Sequence, residues 1–226
     1  RYIDGSFGDE PGWMYFDPVT GAVDYGWAWI PDPGKWVCYD EVTGRMRHGS
    51  VMVGGLPYYL DEHTGERLPR ERVVERLLAV AASQAGVTDG DRYQNAAIAA
   101  GSSFNSFGPC TAFVYWCFQE AGLQYQFMDG GATTWPHEMW DWYIARGWTI
   151  PVGTRPQPGD IWVDNLPATR PFPEASATHS GIVDHVSADG RTIYVWEHVN
   201  GYVHLCAESS TLWYLSGYAT PFYNEA

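Results

Sequence analysis

The chain has 226 residues, 13 Lys and Arg against 27 Asp and Glu, a formal net charge of −14, and 16% aromatic residues. That length suits one ordinary domain, or a catalytic domain with a small module, and leaves room for a sizeable core. The charge argues against a nucleic-acid partner and against a polybasic membrane-surface role, and no apolar run approaches the roughly 20 residues of a spanning helix. The chain opens on Arg1 without a Met or a signal-peptide pattern, which reads as a processed or excised segment.

Residues 12 to 68 repeat imperfectly. The units are Gly12-Trp-Met-Tyr-Phe-Asp17-Pro-Val-Thr20-Gly21, Lys35-Trp36-Val-Cys-Tyr39-Asp40-Glu-Val-Thr43-Gly44 and Leu56-Pro-Tyr58-Tyr59-Leu-Asp61-Glu-His-Thr64-Gly65, with the Thr-Gly pairs 23 and 21 residues apart. Each unit predicts an aromatic strand, an Asp-x-x-Thr-Gly turn joining two hairpin arms, and a short second strand. A lone hairpin cannot bury its aromatics, so stacked hairpins follow.

This rhythm resembles the choline-binding, cell-wall-binding repeats of bacterial surface proteins and phage lysins, over about 57 residues. The resemblance implies that aromatics of neighbouring repeats cage a quaternary ammonium by cation–π attraction. The matching positions are Trp13, Tyr15, Trp27, Trp36, Tyr39, Tyr58 and Tyr59. Gly26-Trp27 follows the first unit, as in the family, whereas His48-Gly49-Ser50 follows the second. Packing between hairpins is the other role open to these rings.

At Leu68-Pro69 the pattern changes. Apolar residues at 73, 74, 77, 78 and 81 form a helical stripe from Glu71 to Gln84, ended by Gly86. A domain boundary is therefore expected near residue 69, giving 1–69 and 70–226. A helical or loop stretch (92–100) and a small-polar loop (101–108) follow. An apolar helix then runs from Cys110 to Gly122 behind Pro109, and another begins at Thr134 with Pro136 in its first turn. Strand-like runs come next, at 148–152, 160–164, 180–186, 192–198 and roughly 213–219. Helices followed by an antiparallel sheet make an α+β domain.

Cys110 is the central chemical candidate. A thiol at a helix N-terminus faces the positive end of the dipole, which favours the thiolate. His179 opens the run His179-Ser-Gly-Ile-Val-Asp-His-Val186. A cysteine starting a helix and a histidine starting a strand are how papain-like cysteine enzymes pair nucleophile and base. If Val186 pairs with Thr192 across the turn at 187–190, residue 181 stands opposite 197 and residue 179 opposite 199. Alternation then places Glu197 on the face of His179 and points His198 away, so Glu197 is the expected orienter. By the same parity His185 is the backup base.

Three motifs resemble the NlpC-type and CHAP cysteine peptidases and amidases of peptidoglycan, over most of residues 72 to 222. They are Gly-Pro-Cys110-Thr-Ala-Phe-Val-Tyr-Trp-Cys-Phe-Gln-Glu-Ala-Gly-Leu123, Gln157-Pro-Gly-Asp160-Ile-Trp, and the His179 strand. NlpC-type members usually carry Asp before the cysteine; Pro109 here tilts the resemblance toward CHAP. It implies a papain-like domain with helices packed on an antiparallel sheet, behind a small β-hairpin module, and no cofactor. It also implies Asn200 as a helper to Glu197.

Other residues have plainer readings. Cys110 and Cys117 lie roughly 10 Å apart along one helix, too far for a disulfide, and Cys117 reads as core. A Cys38–Cys206 disulfide is left open. Trp135, His137, Trp140 and Trp162 suit core packing better than a substrate groove. Asp89 and Asp91 resemble the calcium loop of some CHAP enzymes, but a solvated turn is favoured and no metal is expected. The reading is a secreted or cell-wall-associated hydrolase, bacterial or phage-derived, cutting an amide of peptidoglycan. Aromatic repeats would tether it to choline-bearing teichoic acid or a similar polymer. The rivals are a non-catalytic wall-binding protein and a papain-like cysteine enzyme with another substrate.

Overall fold

The computed structural model describes residues 2–4, 11–106, 108–165 and 177–225. The chain separates into two compact units, Arg1–Val73 with Phe222–Ala226, and Val74–Pro221. Among the described residues no helix is long and apolar enough to cross a membrane.

The first unit is built of small antiparallel pairs: β1 (Tyr2–Ile3) with β2 (Gly12–Trp13), β3 (Gly26–Ile30) with β4 (Lys35–Tyr39), and β5 (Gly49–Val53) with β6 (Leu56–Leu60). Its three turns are alike. Asp17 Oδ1 accepts the N–H groups of Val19 and Thr20 at 2.9 and 2.6 Å. Asp40 Oδ1 accepts those of Val42 and Thr43 at 3.0 and 2.9 Å, and Asp61 Oδ1 those of His63 and Thr64 at 3.0 and 2.7 Å. The threonine N–H leads in holding the Asp17 and Asp61 carboxyls below their usual range, and Arg47 leads at Asp40. In each turn the glycine N–H closes back on the aspartate carbonyl.

Stacking is equally periodic. The Met46 N–H donates to the Trp13 carbonyl, and the Arg67 N–H to the Trp36 carbonyl, both at 2.8 Å. Gly44 and Gly65 have φ of +67 and +65, and a Cβ on them would stand 2.5 Å from Val23 Cγ1 and 2.5 Å from Met46 Sδ respectively. Gly44 and Gly65 thus serve twice, supplying the left-handed backbone and admitting the apolar side chain of the preceding repeat; Gly21 supplies only the backbone. The chain's end closes the unit: Asn224 accepts the Tyr59 N–H at 2.8 Å and donates to the carbonyls of Tyr59 and Leu68 at 2.7 and 2.8 Å.

One expectation is corrected here. The Asp-x-x-Thr-Gly turns do not join the main hairpin arms. Only single bridges follow them, Phe16↔Val23, Tyr39↔Met46 and Leu60↔Arg67. The long arms pair across Pro31–Gly34 and across Gly54-Gly55, whose φ values are +60 and +79. Two consecutive left-handed residues suit the twist of a two-residue hairpin, whereas the longer Asp-x-x-Thr-Gly loop carries the chain to the next repeat.

In the second unit helices precede an antiparallel sheet. α1 (Arg70–Ser83) leads into α2 (Asp91–Ala99), α3 (Cys110–Glu120), two 3-10 turns, and α4 (Pro136–Ala145). The sheet strands are β7 (Thr149–Ile150), β8 (Ile161–Asp164), β9 (His179–Val186), β10 (Thr192–Val199), β11 (Tyr202–Ser209) and β12 (Leu215–Ala219), in the spatial order β11-β10-β9-β8-β12-β7. Residues of α3 are buried almost all round, from Cys110 through Tyr115 and again at Cys117 and Phe118, as a central core helix requires. α3 lies against α2, β9 and β10. Trp162, Val183, Ile193, Val195, Leu215 and Tyr218 form a separate apolar cluster on the sheet. Trp140 and Trp162 join the core, at 7% and 0% exposure.

Gly65→Ala tests the repeat geometry. It forces a left-handed alanine and a 2.5 Å approach to Met46, and should destabilise the hairpin unit by roughly 2 kcal/mol. Urea unfolding followed by aromatic fluorescence should show the loss, with Met46→Ala relieving part of it. An unchanged midpoint would contradict the packing described.

Candidate active site

Pro109 stands immediately before α3, and its carbonyl accepts the Phe113 N–H at 2.7 Å. Cys110 is therefore the first helical residue, 6% exposed. One residue further on, the Thr111 and Ser180 hydroxyls are 2.8 Å apart and buried. Ser180 follows His179, so this hydroxyl pair ties the start of α3 to the start of β9 and sets Cys110 beside His179. Sequence reading passed over Thr111 and Ser180, since a Thr and a Ser inside apolar runs carry no local signal of pairing.

His179 is 7% exposed and Glu197 3% exposed, and His179 Nε2 is hydrogen-bonded to Glu197 Oε2. That leaves Nδ1 for the cysteine sulfur. Burial pushes the Cys110 thiol up, but the neighbouring His179, the Ser180 N–H and the Thr111 hydroxyl outweigh it, and the net shift is downward. Burial likewise favours neutral His179, yet Cys110 and Glu197 overcome it and the imidazole pKa rises well above its usual value. Burial opposes ionised Glu197, and the hydrogen bond to His179 carries it below the usual range. All three shifts favour thiolate, imidazolium and carboxylate together. A thiolate, an imidazolium and a carboxylate in that order can supply a nucleophile, a proton donor and a group that fixes the donor's ring.

The register that brings Glu197 here differs from expectation. Val186 pairs with Ile193, not Thr192; a bulge then intervenes, and Val183 pairs with Val195 and Ile182 with Trp196. The extra residue on β9 cancels the one-residue error, so residue 181 still stands beside 197. A Cβ on Gly181 would lie 3.0 Å from Glu197 Cβ and 2.5 Å from Val195 Cγ1. The bulge also breaks the parity that made His185 a backup base, because an extra residue switches the face of everything beyond it. The His185 side chain is half exposed, stacks on Tyr194 at 4.2 Å and pairs with Asp184 at 2.7 Å.

Asn200 sits exposed at the β10–β11 turn with φ +54, followed by Gly201 at φ +87. An Asn-Gly pair in two left-handed conformations is the two-residue hairpin turn, which accounts for the residue type. β11 itself was missed by the sequence reading. It places Cys206 beside Glu197, and the donor atoms of Glu197, Cys206 and Glu208 all lie within 4.8 Å of one another. Glu197 is already engaged by His179. Asp89 accepts the Arg92 N–H at 3.3 Å and Asp91 opens α2. All four cysteines are free thiols.

The repeat aromatics divide by role. Tyr39 and Tyr59 are core, 2% and 1% exposed. Trp27 and Tyr58 meet edge to face at 4.8 Å, with the Arg67 guanidinium 5.7 and 5.3 Å from their ring centres. A cation of the chain itself therefore occupies that aromatic pair. Trp36 packs on Trp29 at 5.6 Å and both are exposed; Tyr15 is half-buried and its carbonyl accepts the Asp24 N–H. Trp13 lines a cleft of about 350 Å³ with Ile30, Asp32, Lys35, Met46 and His63.

Residues 100–198 match the family model of the CHAP domain. The matched stretch contains Cys110, His179 and Glu197. No curated protein matches the chain.

The ion pair has a chemical signature. Thiolate reactivity with iodoacetamide should persist below the ordinary thiol range and fall only as pH drops through the depressed Cys110 value. His179→Ala should cut the alkylation rate near neutral pH by tenfold or more. Equal rates in the two proteins would rule out the coupling. Gly181→Ala, which drives a methyl into Val195 and Glu197, should both destabilise the unit by roughly 1–3 kcal/mol and slow alkylation.

Proposed function

We propose that this protein is a CHAP-type peptidoglycan hydrolase that cleaves an amide, either the sugar–peptide bond or a peptide cross-bridge. The observation that carries this reading is the buried contact of His179 with Glu197, beside Cys110 at the start of α3 and within the residues matched by the CHAP family model. In the proposed mechanism the Cys110 thiolate attacks the carbonyl carbon. His179, protonated at Nδ1, delivers its proton to the leaving amine as the C–N bond breaks, then takes a proton from the water that hydrolyses the thioester. Glu197 holds the imidazole through Nε2 and offsets its charge. The free N–H groups of a helix start suit the oxyanion, and the Cys110 N–H is the candidate donor. The family resemblance supports a papain-like fold and action at the bacterial wall, outside the cytoplasm.

The hairpin unit is proposed as a wall tether, which needs only weak binding to raise local concentration. With Arg67 over Trp27 and Tyr58, a choline-bearing polymer is better served by the cleft at Trp13 and Asp32, where an aromatic face and a carboxylate stand together.

Purified Gram-positive walls, with and without choline, test the reading. Wild type should release soluble fragments whose new amino ends, read by mass spectrometry, identify the amide. Cys110→Ala should release none while still sedimenting with walls, and Glu197→Gln should lower kcat by roughly tenfold or more with little change in binding. Lysis by Cys110→Ala would refute the nucleophile assignment.

A further inference from the structure

The role given to Glu197 leaves a question about Glu197 itself. A carboxylate 3% exposed needs more than one donor to remain ionised in a dry setting, and His179 supplies one. A candidate for the second is on β11. Glu197 pairs with His204 and Val195 with Cys206, so Cys206 is the diagonal neighbour of Glu197 on the same face of the ribbon. The Asn200-Gly201 turn fixes that register.

We propose that Cys206 is a positioning residue for Glu197, donating its thiol hydrogen to the carboxylate and thereby holding the ring of His179 toward Cys110. This rests on the reading of Glu197 as the orienter of His179.

Three observations support it. First, the Cys206 sulfur, a Glu197 oxygen and a Glu208 oxygen lie within 4.8 Å of one another. Second, burial and the adjacent Glu197 charge push the Cys206 thiol far up, so it stays an S–H donor at neutral pH. Third, β11 carries its polar residues on the face of Glu197. His204, Cys206 and Glu208 are half-buried, whereas Leu205 and Ala207 between them are exposed. A half-buried strand normally shows the opposite pattern, and the reversal has a reason if β11 faces a polar partner.

The groups facing Glu197 are His179 from β9 and His204, Cys206 and Glu208 from β11. On a soluble muropeptide substrate, Cys206→Ala should lower kcat roughly three- to tenfold, as for one weak hydrogen bond to a charged group, with KM unchanged. The acid limb of the kcat profile should move to higher pH, because a carboxylate short of a donor binds a proton more readily. Cys206→Ser keeps a donor and should restore both. A wild-type rate and limb in Cys206→Ala, or a serine variant no better than alanine, overturns the proposal.

A second arm needs no catalysis. In a Cys110→Ala background Cys206 is the half-exposed thiol, since Cys38 and Cys117 are buried. Adding Glu197→Gln removes the neighbouring charge and should raise iodoacetamide labelling of Cys206 severalfold near neutral pH; an unchanged rate overturns the contact. In the active enzyme, a silent Glu197→Gln would end the orienter reading as well. A slow Glu197→Gln beside a silent Cys206→Ala ends only the Cys206 assignment.

Discussion

A thiolate and an imidazolium kept from water can persist only if each has the other and nothing separates them. Taking either charge out of water costs several kcal/mol, and their attraction offsets this only when the geometry is good and the remaining polar atoms are paired. Most of the second unit serves that condition. The start of α3 presents Cys110 with the Ser180 N–H and Thr111 hydroxyl beside its sulfur. The Thr111–Ser180 bond fixes helix to strand one residue from Cys110 and His179. Gly181 leaves space where any side chain would strike Val195 and Glu197, so β9 and β10 approach closely enough for His179 and Glu197 to meet.

The hairpin unit uses carboxylates differently. Asp17, Asp40 and Asp61 are spent on turn N–H groups, so part of the acidic excess in the composition is structural and says nothing of a partner. Val23, Met46 and Arg67 hold equivalent places, each following a turn. The first two slide beneath the glycine of the next repeat. No further Asp-Thr-Gly turn follows Arg67. Instead its guanidinium spans Trp27 and Tyr58 and donates to the carbonyls of Asn224 and Glu225 at 2.9 and 2.8 Å. A stacked repeat needs a polar residue at its end, and Arg67 is that residue, so its aromatic contacts are accounted for by capping.

Local patterns were the legible part. The apolar run after Pro109, the stripe of α1 and the Pro136 start of α4 each carry their own period and punctuation. The repeat rhythm was plain too, because the Asp, Thr and Gly of each turn bond one another. What escaped was whatever depends on distant partners or on an unusual backbone. Gly54-Gly55 and Asn200-Gly201 are two-residue hairpin signals that lie between strands the repeated Asp-x-x-Thr-Gly turns do not join. β11 escaped because Leu205 and Ala207 are exposed while His204, Cys206 and Glu208 are half-buried, which leaves no apolar face to read. The Asn224 bonds to Tyr59 span 165 residues, and no sequence pattern announces them.

The place of β11 explains why its pattern is reversed. In the order β11-β10-β9-β8-β12-β7 it is the sheet's edge, and a strand at an edge invites unwanted pairing unless its face or ends are polar or charged. Charged and polar residues pointing inward from such a strand blunt the edge, but they need partners once half-buried. In the proposed arrangement Glu197, buried and one strand in, is the partner of Cys206, so an inward-pointing polar side chain on β11 blunts the edge and serves the carboxylate at once. This places the proposed catalytic carboxylate one strand from an edge, and the bulge that sets its register to His179 falls beside Val183 and Val195 of the apolar cluster.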